Sequence, residues 1–345
     1  MARRRRSFFS QFRSLTRNIK TIFTTLAGLG VLGTIGYFSW PGLGDFFGTP
    51  EPQETPNIVV ALEPKSDTEI KIATFNIQNF GKSQLEKPEV MATLAQIAVG
   101  FDVLAIQEIS NKNGNALDDL VSIMNRSEPG RFDYLVSPLL GKNPNDKGSD
   151  TEQFGFIYDR TRIELADKKN FGFVLSAKKF KQKFNRLPVV SSFKVVDSLA
   201  ENPFTFSLVT FHNVHDGHER WKLETENIKD AYLEVRSVLG AEDDIILLGD
   251  FNANHEKIMG SLSDLPQTFG SAVTVENTNV KQTKSYDNLV FDASLTKEFI
   301  DGHVFDFSEV CKTYESDPKD VSDHFPVFAS FGVEENKKVE RVAAK

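Results

Sequence analysis

Asp250, Asn252, Asn254, His255 and Glu256 crowd the end of an apolar run in "LLGDFNANHE", directly after Gly249. Other apolar runs open or close on the same residue types. Asn76 follows "IATF", Glu108 ends "VLAIQE", Glu152 heads "TEQFGFIYD" and His212 ends "FSLVTFH". Asp287 in "SYDNLVF" and the pair Asp323–His324 in "VSDHFPV" complete the set. Carboxylates and an amide make an oxygen-rich site, which suits Mg²⁺, Mn²⁺ or Ca²⁺ over zinc. Cys311 stands alone, so neither an internal disulfide nor a multi-cysteine zinc centre can form. Two histidines, each with a carboxylate to orient it, make a general base and a general acid. With a hard cation between them, such groups serve in-line hydrolysis of a phosphate ester. The chain has no G-x-x-x-x-G-K-[ST] loop for nucleoside triphosphates, and "GDFNA" offers no nucleophilic serine.

Each residue alone has an ordinary reading. Glu108 suits a surface acid, His212 a buried histidine with its bonds satisfied, and Asp287 and Asp323–His324 suit turns. The functional reading rests on all of them falling at strand ends, where chemistry concentrates.

The elements that must position them follow from periodicity. "EIKIATFN" reads as a strand ending at Asn76, and Val90, Leu94 and Ile97 mark an amphipathic helix. "FDVLAIQE", "TEQFGFIYD", "PFTFSLVTFH", "DDIILLGD", "SYDNLVF" and "VSDHFPVFASF" read as further strands. Ile228, Tyr232, Val235 and Leu239 share a second helical face. Strands alternating with helices, plus paired β-rich stretches, predict an α/β protein with mixed sheets. Asn254, His255 and Glu256 are assigned to a polar loop.

The rest of the chain bears on location. Hydrophobic residues make up 40% of it and include 30 phenylalanines, ample for a sizeable core. Residues 1–20 carry Arg3, Arg4, Arg5, Arg6, Arg13, Arg17 and Lys20 and no acid, so the remainder is more acidic than the net charge of −8. An acidic body argues against coating nucleic acid by bulk attraction. Residues 21–44 are uncharged and long enough to cross a bilayer, with Tyr37 and Trp40 as interfacial aromatics. Positive flanking charge on the N-terminal side predicts a single-pass anchor, with the N-terminus cytoplasmic and the catalytic body extracytoplasmic. A cleaved signal, which would make the protein secreted, a twin-arginine signal around "RRRRSFF" and a buried soluble helix stay open. Residues 45–68 read as a Pro-rich linker and 334–345 as a charged tail.

Taken in order, "IKIATFNIQNFG", "VLAIQE", "VTFH", "LLGDFNA", "SYDNLVF" and "VSDHFPV" resemble the endonuclease/exonuclease/phosphatase superfamily, most of all its deoxyribonuclease I branch. The resemblance spans residues 69–333. It implies a four-layered α/β sandwich, two mixed sheets with helices on the outer faces, and Mg²⁺-dependent phosphodiester hydrolysis, with Mn²⁺ or Ca²⁺ as substitutes. By motif, Asn76, Glu108, Asp250 and Asp323 would hold the metal, and Asp250 and Asn252 the metal or the scissile phosphate. His212 would be the general acid, supported by Glu152, and His324 the general base, oriented by Asp287. Arg186 in "NRLPVV" matches an Arg-x-Pro that grips phosphate, a role its planar fork suits. The implied partner is nucleic acid, DNA first, with no protein partner.

The chain also departs from that pattern. Gln78, Ser110 and Asp150 stand where deoxyribonuclease I sends basic and tyrosine side chains into the minor groove. "HNVH" replaces His-x-x-Pro, and Asn288 replaces a common arginine. An inositol phosphatase or sphingomyelinase-like phospholipase of the same superfamily, and an inactive binding module, are the alternative expectations.

Overall fold

Ile70 and Ile72 point to one side of their strand and Ala73, Phe75 and Ile77 to the other, and all are buried. A strand covered on both faces belongs inside a layered structure. The computed structural model describes residues 61, 64–110, 116–141, 151–166, 173–175, 177–240 and 244–336. Its strands begin with β1 (Glu69–Phe80), β2 (Val103–Ile109), β3 (Phe132–Val136), β4 (Gln153–Asp159), β5 (Ile163–Leu165), β6 (Phe173–Val174) and β7 (Val189–Val195). They continue with β8 (Thr205–His212), β9 (Ile245–Asp250), β10 (Phe269–Ser271), β11 (Asp287–Asp292), β12 (Phe299–Val304) and β13 (Val327–Gly332).

One sheet runs β12-β13-β1-β2-β4-β3 and the other β10-β11-β9-β8-β7-β5, with β6 paired to β7. Both are mixed, because β1–β2 and β8–β9 are parallel and their neighbours antiparallel. Between the sheets, Ile70, Ile72, Val103 and Ala105 meet Phe193, Phe206, Leu208, Ile246 and Leu248. The outer face of the first sheet packs on α1 (Pro88–Val99) and α2 (Ala116–Met124). The outer face of the second packs on α4 (Ile228–Leu239) and α5 (His255–Leu262), preceded in the chain by the short α3 (Trp221–Glu226). These are the four layers expected. Ile228, Tyr232 and Val235 are buried as their spacing predicts.

Two local expectations are corrected. β1 does not end at Asn76 but continues to Phe80, because its pairing with β2 slips between Asn76 and Phe80 instead of stopping. Asn254, His255 and Glu256 do not form a loop. Asn254 caps α5, its side chain accepting the Lys257 N–H at 3.2 Å, and His255 and Glu256 begin the helix.

The basic N-terminus 1–20, the apolar run 21–44, most of the linker 45–68 and most of the charged tail lie outside the described residues. Among the described residues no helix is long and apolar enough to cross a membrane. The described residues belong to one compact unit. Structured chain begins upstream of β1, since Lys65 Nζ lies 3.1 Å from Asp102 and 3.0 Å from Asp159.

Gly249 is the tight point of the second sheet. Its φ is +135°, and a Cβ there would stand 2.0 Å from the Phe211 carbonyl oxygen. A side chain would therefore push β9 away from β8 just where His212 and Asp250 pair. We expect Gly249→Ala to cost about 3 kcal/mol of stability from strain and overpacking. Urea unfolding checks it, and an unchanged midpoint would contradict the close approach.

Candidate active site

Strand register builds half the site. His212 of β8 and Asp287 of β11 both stand opposite Asp250 of β9, which sets the three side by side at one edge of the second sheet. The first sheet supplies Asn76 and Glu108. Alternation along β2 would send Glu108 to the helix-covered face, since Val103 and Ala105 face the other sheet and Leu104 and Ile106 face the helices. Glu108 escapes that fate with a φ of +63°, at an irregularity where the β2–β4 pairing shifts between Ile106 and Ile109. Its carboxylate is fixed by the Asn79 N–H at 2.8 Å and by Asn76 Nδ2 at 3.0 Å. Asn76 Nδ2 also donates to Asp250 Oδ2 at 3.1 Å and so joins the two sheets.

Two histidine–carboxylate pairs flank this link. His212 Nδ1 meets Glu152 at 2.8 Å, and Arg186 Nε donates to the same Glu152 oxygen at 2.9 Å. Arg186 Nη2 is 3.2 Å from both ring nitrogens of His212, which puts the guanidinium against the ring face. His324 Nδ1 meets Asp287 Oδ2 at 2.8 Å. The Nε2 atoms of His212 and His324 lie 3.7 Å and 3.8 Å from one atom, Asp250 Oδ2.

The charges follow from these contacts. Burial disfavours a charged His212, and Arg186 does too, yet Glu152 and Asp250 outweigh both and raise its pKa. Burial would raise Glu152, but His212 and Arg186 hold it below the usual carboxylate range. Burial also opposes the His324 cation, and Asp287, Asp250 and Asp323 overcome it, pushing the imidazole up to about 10.

The remaining expected residues fall in or beside the cleft. Asn252, at φ +48°, is held by Asp250 Oδ1 on its N–H and spends one amide hydrogen on the Asn213 carbonyl, which leaves Oδ1 and the second hydrogen. Asp323 is half-exposed and reaches the site through His324, 3.9 Å from Nε2. Beside His212 a cavity of about 160 Å³ is lined by Asn79, Glu108, Ser110, Thr151, Glu152, Arg186 and His212. Gln78 and Ser110 are exposed and uncharged, and Asp150 lies outside the described residues. Asn288 is buried and ties down the Val273 backbone with both amide atoms.

The donor set fits a hard divalent cation. Asn76 Oδ1 is buried beside Glu108 and has no hydrogen-bond partner among the described residues. Its Nδ2 end now faces Glu108 and Asp250, and a turn of the amide would bring the open oxygen to those two carboxylates, an oxygen set that Mg²⁺ or Ca²⁺ binds. Donor atoms of Asp250, Asp287 and His324 also lie within 4.8 Å of one another, although Asp287 Oδ2 is already engaged by His324 and Thr278.

Sequence reasoning missed several supporting residues. Thr278 donates to Asp287 Oδ2 at 2.7 Å and accepts the Tyr286 and Asp287 N–H groups. Ser322 donates to the Asn76 carbonyl and accepts the N–H groups of Gln78 and His324. Thr74, Gln107 and Thr210 form a fully buried chain across the sheets, with bonds of 3.2 Å and 2.9 Å. That chain had a signal: polar residues inside apolar strands must find partners.

Two mixed sheets packed face to face, with paired acids and imidazoles at the strand ends of both, define a class of α/β sandwich. The endonuclease/exonuclease/phosphatase family model matches residues 73–264. Horse deoxyribonuclease-1 is 27% identical over 272 residues, 75% of this chain and 90% of that one. Human deoxyribonuclease gamma is 25% identical over 285 residues, 79% and 89% of the two chains. The crystal structure of an endonuclease/exonuclease/phosphatase family protein from Bacteroides thetaiotaomicron aligns with a TM-score of 0.52 at 18% identity, covering 77% of this chain and 98% of that one. The chain belongs to the endonuclease/exonuclease/phosphatase family, and among its members it is like the deoxyribonucleases.

The raised His324 has a pH signature. A folded-state pKa above the free value of about 6.5 stabilises the fold fully below that pH. The contribution is lost as pH rises through the folded value of about 10. Without divalent cation, the stability gap between native protein and His324→Asn is expected to be widest in acid and to close across that window. Thermal melts at several pH values measure it, and a gap independent of pH would refute the ion pairing.

Proposed function

We propose that this protein is a divalent-cation-dependent phosphodiesterase that cleaves nucleic acid, DNA first, by in-line attack of water. One observation carries the reading: two imidazoles each present Nε2 within 3.8 Å of one carboxylate oxygen, and each is backed by its own carboxylate. His324, held by Asp287, takes the proton from water. His212, held by Glu152, gives a proton to the leaving oxygen. Arg186 and the free hydrogen of Asn252 bind the phosphate oxygens. With no cation bound, His324, pushed up to about 10, is protonated at neutral pH and cannot act as the base. A divalent cation on Asn76, Glu108, Asp250 and Asp323, Mg²⁺ by preference, would neutralise the carboxylates that keep His324 charged and offset charge on the phosphate.

The lining of the cavity beside His212 favours this substrate class over a sphingolipid. Among the described residues it holds no apolar side chain, so a sugar hydroxyl suits it as leaving group and a ceramide does not. Likeness to deoxyribonuclease-1 and deoxyribonuclease gamma supports DNA as the first choice. From the sequence alone, we place the body outside the cytoplasm, tethered by residues 21–44.

Supercoiled plasmid nicking tests the reading. Activity in Mg²⁺ should vanish in EDTA, and His212→Ala and His324→Ala should each lose about 10²–10⁴-fold. Phosphate release from monoesters without nicking would mean a phosphatase. DNA binding indifferent to both histidines would mean a binding module.

A further inference from the structure

The short helix α3 carries a carboxylate that the catalytic scheme does not use. Glu224 is buried, 1% exposed, and makes no salt bridge among the described residues. Its two oxygens instead accept two backbone N–H groups from different segments. Oε1 takes Asn185 at 2.6 Å and Oε2 takes Val214 at 2.8 Å. Asn185 directly precedes Arg186, and Val214 lies two residues beyond His212. Arg186 and His212 are the groups that share Glu152. From the same helix, Trp221 Nε1 donates to the Asn252 carbonyl at 2.8 Å, and Asn252 in turn donates to the Asn213 carbonyl. One turn of helix therefore holds the segments that follow β8 and β9 and the one that precedes β7.

A buried carboxylate is costly unless hydrogen bonds satisfy it, and here they come only from backbone among its described bonds. Such bonds fix main-chain position, and an ion pair with a flexible side chain would not. We propose that Glu224 is a positioning residue for the general acid, setting His212 and Arg186 together against Glu152 so that the leaving oxygen is protonated. The proposal rests on His212 being that acid.

Glu224→Gln is the test, because it keeps shape and changes one acceptor. The amide accepts on one oxygen only and turns an NH₂ toward the other backbone N–H, so one segment is released. Two substrates separate positioning from general damage. A dinucleoside phosphate has an alkoxide leaving group that needs a proton, and thymidine 5′-(p-nitrophenyl phosphate) has a phenolate that does not. We expect kcat on the dinucleoside to fall about 30-fold, with KM changed less than about threefold, since misplacement of roughly 1 Å costs up to 10². On the p-nitrophenyl ester kcat should fall less than about threefold.

Amide hydrogen exchange supplies a readout apart from turnover. Val214 or Asn185 should lose protection while β8 and β9 keep theirs. Should Glu224→Gln not fold, Glu224→Asp, too short to reach both N–H groups, takes its place with the same two substrates and is expected to show the same pattern. His212→Ala serves as reference. Equal loss on both substrates in the Glu224 variant, where His212→Ala discriminates between them, would overturn the proposal, as would unchanged exchange at both amides. If His212→Ala itself loses both substrates equally, the general-acid reading falls and the proposal with it.

Discussion

Asp250 Oδ2 is the atom on which the site depends. It is buried, and it receives Asn76 Nδ2 from the other sheet at 3.1 Å and faces both imidazole Nε2 atoms at 3.7 and 3.8 Å. A buried carboxylate must be compensated, and Glu108 and Asp287 add negative charge on either side of it. In the protein alone the compensation comes from the Asn76 amide, the Asn252 N–H and two imidazoles, and Asp250 adds to the larger pull of Glu152 on His212 and of Asp287 on His324 that raises both. A bound cation would share that task and return a histidine to neutrality. On the proposed function, the demand for a cation is thus an electrostatic consequence of crowding acids around one oxygen.

Bringing those groups together needs both sheets in register, and the fold secures it with buried polar contacts. The Thr74–Gln107–Thr210 chain lies just beneath the cleft, because Thr74 and Thr210 each stand two residues before Asn76 and His212 on the same strand faces. A sliding of one sheet on the other would leave those polar groups unpaired in the core, a penalty of about 1–3 kcal/mol for each group. Glu108 adds a local cost, since a non-glycine residue at positive φ stores strain of about 1–3 kcal/mol that its surroundings must offset. Its hydrogen bonds to Asn79 and Asn76 do so, and the strain turns an outward side chain inward.

Much of this was legible in the sequence where polar residues close apolar runs. His212 and Asp250 end β8 and β9, and Asp287 opens β11, as the runs predict. Asn76 was misplaced within its strand because a register slip leaves no mark in hydrophobic alternation. The α5 cap could have been read, since Asn254 precedes Ile258 and Leu262 at helical spacing. Thr278 and Ser322 could not, as they act from irregular segments where spacing carries no geometric meaning. The partnership of each histidine with its own carboxylate came from family resemblance alone, for residues 60 apart at His212–Glu152 and 37 apart at His324–Asp287.

The surroundings of the two histidines also bear on which one is the acid. His324 faces Asp287, Asp250 and Asp323, with no cation among its described contacts. His212 faces Glu152, Glu108 and Asp250, but Arg186 lies 3.2 Å from its ring and makes its proton easier to give up. Environments that differ in this way separate a proton acceptor from a proton donor. On the proposed function, His324 is then the stronger acceptor toward water and His212 the readier donor toward the leaving oxygen. On that same reading Arg186 biases the pair in addition to its proposed hold on the phosphate. Lysine could not replace it, because one planar guanidinium lies against the ring while its Nε stays on Glu152.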